Sequence, residues 1–105
     1  MEPVAFYKCM ADDTRLKALL LISRHGEICV CELTQMLALS QPKVSRHLAA
    51  LRQCGLLTDE RRGKWVYYRF SPALPEWIRE VLALTLKENE AYINQCKPYI
   101  EASCC

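Results

Sequence analysis

The sequence predicts a mainly α domain carrying one β-hairpin, an α+β arrangement within a single unit spanning residues 1–105. Three observations carry this. Apolar residues recur at helical spacing, as in Leu16, Leu19, Leu20 and Ile22, or Val44, Leu48 and Leu51. Capping residues precede those stretches and glycines follow them, with Asp12, Asp13 and Ser40 ahead and Gly26 and Gly55 behind. Residues 56–62 and 65–70 (LLTDERR and WVYYRF) flank Gly63-Lys64, and the second run is rich in aromatic and β-branched residues.

Taken in order, residues 3–10 form a short first helix with Pro3 in its first turn. Asp12 or Asp13 caps a second helix that runs to about Arg24 and ends at His25-Gly26. Residues 27–30 are extended, and a short helix follows through Leu37. Ala38-Leu39 makes a turn. Ser40 caps a longer helix with Pro42 in its first turn, which ends at Cys54-Gly55. The hairpin closes at Ser71-Pro72, and Pro75 starts a last helix expected to reach residue 100. The chain thus divides into N-terminal helices (3–25), a helix–turn–helix (30–54), a hairpin (56–70) and a C-terminal helix (75–100). Trp77, Ile78, Val81, Leu82, Leu84, Leu86, Tyr92 and Ile93 fall on more than one face of that last helix. A domain of 105 residues scarcely encloses such a helix, so pairing with the first helix of a second subunit is expected.

No apolar run approaches the roughly 18 residues of a membrane span. The start MEPVAFYKCMADD lacks the basic and apolar regions of a secretory signal, so a cytoplasmic protein without membrane contact is expected. Net charge is only +2, but basic residues gather between Lys43 and Lys64 while residues 76–90 are acid-rich. No Ser-His-Asp set, carboxylate pair or phosphate loop is evident, which argues against an enzyme and against an organic cofactor. Seven cysteines are an odd count, which disfavours a closed disulfide framework. Metal or metalloid binding and redox sensing remain, beside burial as small apolar residues, the simplest reading of Cys9, Cys54 and Cys96.

The helix over 40–54 divides by face. Val44, Leu48 and Leu51 form an inward stripe, while Pro42, Ser45, Arg46 and Ala49 point roughly opposite, and Gln41 and Lys43 sit at the exposed start. Short polar and basic side chains at a helix start suit the DNA major groove. Gln41 matches adenine, Ser45 reaches several base edges, and Arg46 suits guanine or phosphate. The start of the helix at Ser40 favours phosphate. His47, on the inward flank, either packs or reads a base. Arg61, Arg62 and Lys64 give the hairpin a basic tip able to meet a phosphate backbone or the minor groove.

The segment SQPKVSRHLAALRQCGLLTDERRGKWVYYRFSP resembles the winged helix-turn-helix of the ArsR/SmtB metalloregulatory repressors, and CVCEL before it resembles their arsenic-responsive branch. The resemblance covers about residues 3–95. It implies a homodimer held by the first and last helices, two winged domains on an inverted repeat of double-stranded operator DNA, and a repressor that leaves DNA when its inducer binds.

Soft thiolates select soft ions and trivalent arsenic. Cys29 and Cys31 would diverge by about 200° on an ideal helix. They meet one ion only if Cys29 is extended and Cys31 occupies the first helical turn, where the helix dipole favours a thiolate. The branch typically carries a third cysteine where this chain has Thr34. Two thiolates suit an organoarsenical such as methylarsenite, because one arsenic valence already holds carbon; inorganic arsenite prefers a third sulfur. The terminal Cys104 and Cys105 are a reserve, acting as sensor, helper or neither. Zinc-sensing relatives use histidines on the last helix, and residues 75–100 contain none. A cadmium- or lead-responsive repressor, or a thiol-redox-responsive one, is the alternative.

Overall fold

A computed structural model describes residues 1–98. Along the chain lie α1 (Pro3–Met10), α2 (Asp13–His25), β1 (Glu27–Cys29), α3 (Val30–Leu37), α4 (Gln41–Gln53), β2 (Leu57–Arg62), β3 (Trp65–Phe70), α5 (Glu76–Glu88) and α6 (Glu90–Ile93). The fold is mainly helical with a three-stranded antiparallel sheet in the order β1-β3-β2.

Local chemistry sets the boundaries. Asp12, not Asp13, caps α2, its side chain accepting from the Arg15 N–H at 3.0 Å. Ser40 caps α4, accepting from the Lys43 N–H at 3.4 Å, and a proline lies in the first turn. The far end of α4 closes when the Leu56 N–H donates to the Leu51 carbonyl and the Gly55 N–H to the Arg52 carbonyl, both at 3.0 Å. This pattern needs a left-handed residue, and Gly55 supplies it at φ 84°. At the end of α3, Ala38 adopts a left-handed φ of 56° without being glycine. Its N–H donates to the Gln35 carbonyl at 3.2 Å, which fixes the tight turn into α4.

The core gathers Phe6, Leu19, Leu20, Ile22, Ile28, Leu33, Leu48, Leu51 and Ile78, all fully buried. Truncating one such leucine to alanine costs about 2–5 kcal/mol. Phe6 meets Trp77 edge-on at 5.3 Å between centroids, so α1 touches α5 of its own chain through this ring pair. Val4, Tyr7 and Leu84 stay outside at 56, 48 and 60% exposure, an apolar face on the two helices expected to pair between subunits.

The single helix expected over 75–100 is corrected. It breaks at Asn89, whose backbone leaves the helical region at φ −134° and ψ 47°. The Asn89 Nδ2 donates to the Thr85 carbonyl at 2.9 Å, so its amide competes with the backbone for the last turn. The chain then folds back. The Tyr92 hydroxyl donates to Asp13 Oδ1 at 2.6 Å, and the Lys97 N–H to the Met36 carbonyl at 2.9 Å.

Candidate functional site

Cys29 ends β1 and caps α3, while Cys31 lies in the first turn of α3. The extended backbone at Cys29 (φ −71°, ψ 147°) swings its side chain round, and the two sulfurs approach to 3.5 Å. With soft-ion bonds to sulfur of roughly 2.3 Å, that separation subtends about 100° at a shared ion. Strand pairing fixes the extended half, since Cys29 lies opposite Tyr67 on β3. Glu32 fixes the helical half. Its carboxylate, 3% exposed, accepts the Cys29 N–H at 2.9 Å, and the Cys29 side chain faces the Glu32 N–H in return, a capping box with sulfur in the usual oxygen's place.

Thr34 stands in the position of a third ligand, but its hydroxyl is committed to the Val30 carbonyl at 2.9 Å. Among the described residues no group of three His, Cys, Asp or Glu side chains could hold a metal ion. Cys31 is in a disulfide in this structure, so capture of a ligand by both sulfurs requires its reduction. Cys104 and Cys105 lie outside the described residues.

On α4 the division of faces is as expected. Val44, Leu48 and Leu51 are buried, Gln41, Lys43 and Arg46 are exposed, and Ser45 is half-buried. His47 turns to the junction with α2, where the Arg15 Nε donates to its Nδ1 at 3.2 Å and an Asp12 oxygen lies 3.8 Å away. That geometry favours packing for His47 over base contact.

The hairpin's basic residues separate into two kinds. Arg61 and Lys64 are exposed, with Lys64 lying 5.4 Å from the Trp65 ring. Arg62 is exposed but engaged, its guanidinium meeting Glu27 at 2.7 and 2.9 Å and Glu60 at 3.1 Å while stacking 4.5 Å from the Tyr67 ring. These carboxylates hold the guanidinium charged still more firmly than usual. Arg62 therefore braces the wing against β1, a role that sequence spacing did not reveal because Glu27 is 35 residues away.

A cavity of about 250 Å³ joins these parts. Cys29, Val30 and Cys31 line one side, Gln41 and Ser45 of α4 a second, and Asp59, Lys64, Trp65, Val66 and Tyr68 of the hairpin a third. The sulfurs, the start of the reading helix and the wing therefore face one space. Sequence reasoning missed this meeting, because β3 is brought to the cysteines by its pairing with β1, a contact between distant segments.

Residues 12–59 match the family model described as bacterial regulatory protein, arsR family. Over 94 residues, 90% of this chain and 73% of the relative, the sequence is 51% identical to the arsenic resistance transcriptional regulator ArsR1 of Pseudomonas putida. The chain belongs to the arsR family of bacterial regulatory proteins. This arsR-family chain is also 52% identical to the arsenical resistance operon repressor of Escherichia coli over 80 residues, 76% of the chain and 68% of the relative. Such relatives are transcriptional regulators, not enzymes.

Reduced HlyU from Vibrio cholerae superposes with a TM-score of 0.74 at 31% identity, covering 82% of this chain and 86% of its own. A homodimeric winged helix-turn-helix domain from Mycobacterium bovis matches at 0.65 and 23% identity, over 92% and 86%, which supports the winged fold. No helix among the described residues of this arsR-family chain is long and apolar enough to cross a membrane.

A second sulfur pair lies away from the cavity. Cys9 of α1 is in contact with Cys54 at the end of α4, and burial followed by that contact pushes the Cys9 thiol up to about 12. Burial likewise raises the Cys96 thiol.

Proposed function

We propose that the protein is a homodimeric repressor that holds operator DNA and releases it when a trivalent arsenical bridges Cys29 and Cys31. The observation that carries this is the shared cavity: the sulfurs, Gln41 and Ser45, and the wing residues Lys64 and Trp65 line one space. A ligand on the sulfurs sits beside the groups that meet DNA.

The chemistry is condensation. Two thiols and arsenous acid give a dithiolate with two As–S bonds and one remaining hydroxyl, and two water molecules leave with the thiol protons. Cys29 caps α3, so drawing its sulfur to arsenic takes it from the Glu32 N–H and loosens the first turn of α3. That helix packs on α4, and a hundredfold loss of DNA affinity requires about 2.7 kcal/mol of coupling. Ser40, Gln41, Lys43, Ser45, Arg46, Arg61 and Lys64 make the DNA contacts, with an inverted repeat matched to the dimer. The apolar face of Val4, Tyr7 and Leu84 supports dimerisation through α1 and α5. Ligand capture by this pair needs reduced thiols, which suits a cytoplasmic protein.

The test uses duplexes selected from a random pool and the reduced protein. Arsenite should dissociate the complex of the wild type, and Cys29→Ser with Cys31→Ser should bind DNA equally well but keep it. Wild-type protein that stays on DNA at saturating arsenite rules the reading out.

One observation favours a second reading: Cys31 is in a disulfide. A peroxide accepting two electrons and two protons from a thiol pair, and leaving as water, would then be the signal. Release by peroxide without any arsenical, reversed by a thiol reductant, would support it.

A further inference from the structure

We infer that His47 is a proton-sensitive positioning residue, and that its protonation detaches the reading helix α4 from Arg15 and so weakens the hold on DNA. This rests on the DNA-binding reading above and adds to it an input separate from the sulfurs. Arg15 is the hub of the junction. Its Nε donates to His47 Nδ1 at 3.2 Å, its Nη1 to the Cys9 carbonyl at 3.3 Å, and its backbone N–H to Asp12 Oδ2 at 3.0 Å. One residue thus ties α1, the start of α2 and α4 together.

The bonding fixes a protonation state. A guanidinium only donates, so His47 Nδ1 must accept, and the ring is neutral with its proton on Nε2. An imidazolium donates from both nitrogens and has nothing to offer Arg15. Protonation therefore sets two cations 3.2 Å apart at a side chain only 19% exposed, where water screens them less than in bulk. A replacement partner is at hand. Asp12 Oδ2 lies 3.8 Å from Nδ1, about 1 Å beyond a charge-assisted bond. That is the oxygen that already caps α2. The ring thus faces one cation and one carboxylate from the α2 side, while α1 contributes the Cys9 carbonyl through Arg15 and the neighbouring Lys43 and Arg46 of α4 are exposed. Exchange of Arg15 for Asp12 shifts the middle of α4, and Ser45 and Arg46 move with it. The sign of the effect is diagnostic, because an added positive charge near DNA would by itself tighten binding to phosphate. Histidine is the side chain that changes charge between about pH 5 and 8, and the chain has two, His25 and His47.

The experiment measures affinity for a selected duplex at fixed salt from pH 7.5 to 5.5. The wild type should lose about fivefold or more. His47→Asn puts an amide oxygen where Nδ1 stands and takes up no proton, so its loss over the same range should stay under about twofold. His25→Asn should keep the wild-type loss. Asp12→Asn retains a good cap but removes the carboxylate that receives the imidazolium, so the loss should move to lower pH. Should His47→Asn fail to fold, Asp12→Asn reads the same exchange. Nitrogen NMR of the free protein at pH 8 should find the His47 proton on Nε2. A wild type that binds as tightly or more tightly in acid, a loss that His47→Asn retains or Asp12→Asn leaves unmoved, or a neutral ring protonated on Nδ1 overturns the inference while the DNA-binding reading stands. If no duplex is bound at pH 7.5, that reading falls and this inference with it.

Discussion

Arg62 grips Glu27 with two nitrogens, at 2.7 and 2.9 Å, and so ties the end of β2 to the strand that ends in Cys29. Glu60 and Arg69 extend the network, at 3.1 Å to Arg62 and 3.3 Å to each other. The network thus links the wing to the sulfur-bearing strand. All four side chains are substantially exposed, so the network contributes orientation more than stability.

The first prediction separates the wing's cations. Arg61→Ala and Lys64→Ala should each flatten the log–log salt dependence of DNA binding by about 0.9, the slope of one phosphate contact. Arg62→Ala should change that slope by less than half as much, because its charge is already met by Glu27 and Glu60. Fluorescence anisotropy over a salt series checks this.

Glu32 provides the second. Glu32→Ala leaves the Cys29 N–H without its 2.9 Å acceptor in a buried setting, which should cost about 1–3 kcal/mol. Glu32→Gln keeps an acceptor oxygen and should lose less than Glu32→Ala. Urea denaturation at fixed protein concentration reads both, since the stability of the proposed dimer would depend on concentration.

A third concerns acid. The Tyr92 hydroxyl, and after it Lys17, holds the Asp13 carboxyl below its ordinary value of 3.8. The folded state thus favours the ionised form, so the stabilisation is complete above that ordinary value and is lost as pH falls through the lower folded value. Tyr92→Phe should stabilise less at pH 6 and show a shallower loss between pH 5 and 2, by about the missing share. Equal acid profiles for the two proteins would contradict this.

The fourth concerns reactivity. With its thiol pushed up to about 12, Cys9 is a thiolate in roughly one molecule in ten thousand at pH 8. Native protein treated with iodoacetamide at pH 8 should therefore retain unmodified Cys9 long after the half-buried Cys54 has reacted, and unfolding in urea should abolish the difference. Mass spectrometry of the peptides decides.

Elements written in local chemistry were legible in the sequence. Ser40 as a cap, the inward stripe of Val44, Leu48 and Leu51, and the left-handed Gly55 all follow from neighbours a few residues apart. The condition set for the two sulfurs, Cys29 in extended backbone and Cys31 in a first turn, is met in the fold. Contacts between distant segments were not. Arg62 looks like a DNA-facing cation until Glu27 is placed beside it, and His47 looks available until Arg15 reaches it. The break at Asn89 was hidden because Tyr92 and Ile93 continue the apolar spacing, while the deciding bonds are an amide's local competition and a hydroxyl's reach back to Asp13. The cavity needed the pairing of β1 with β3, which no motif encodes.

The most direct measurement is a binding cycle on the reduced protein. Arsenical affinity is determined for free protein and for protein saturated with selected operator duplex, and DNA affinity with and without arsenical. Coupling through the shared cavity predicts that DNA weakens arsenical binding by about a hundredfold, and that arsenical weakens DNA binding by the same factor. Identical arsenical affinities with and without DNA would contradict it.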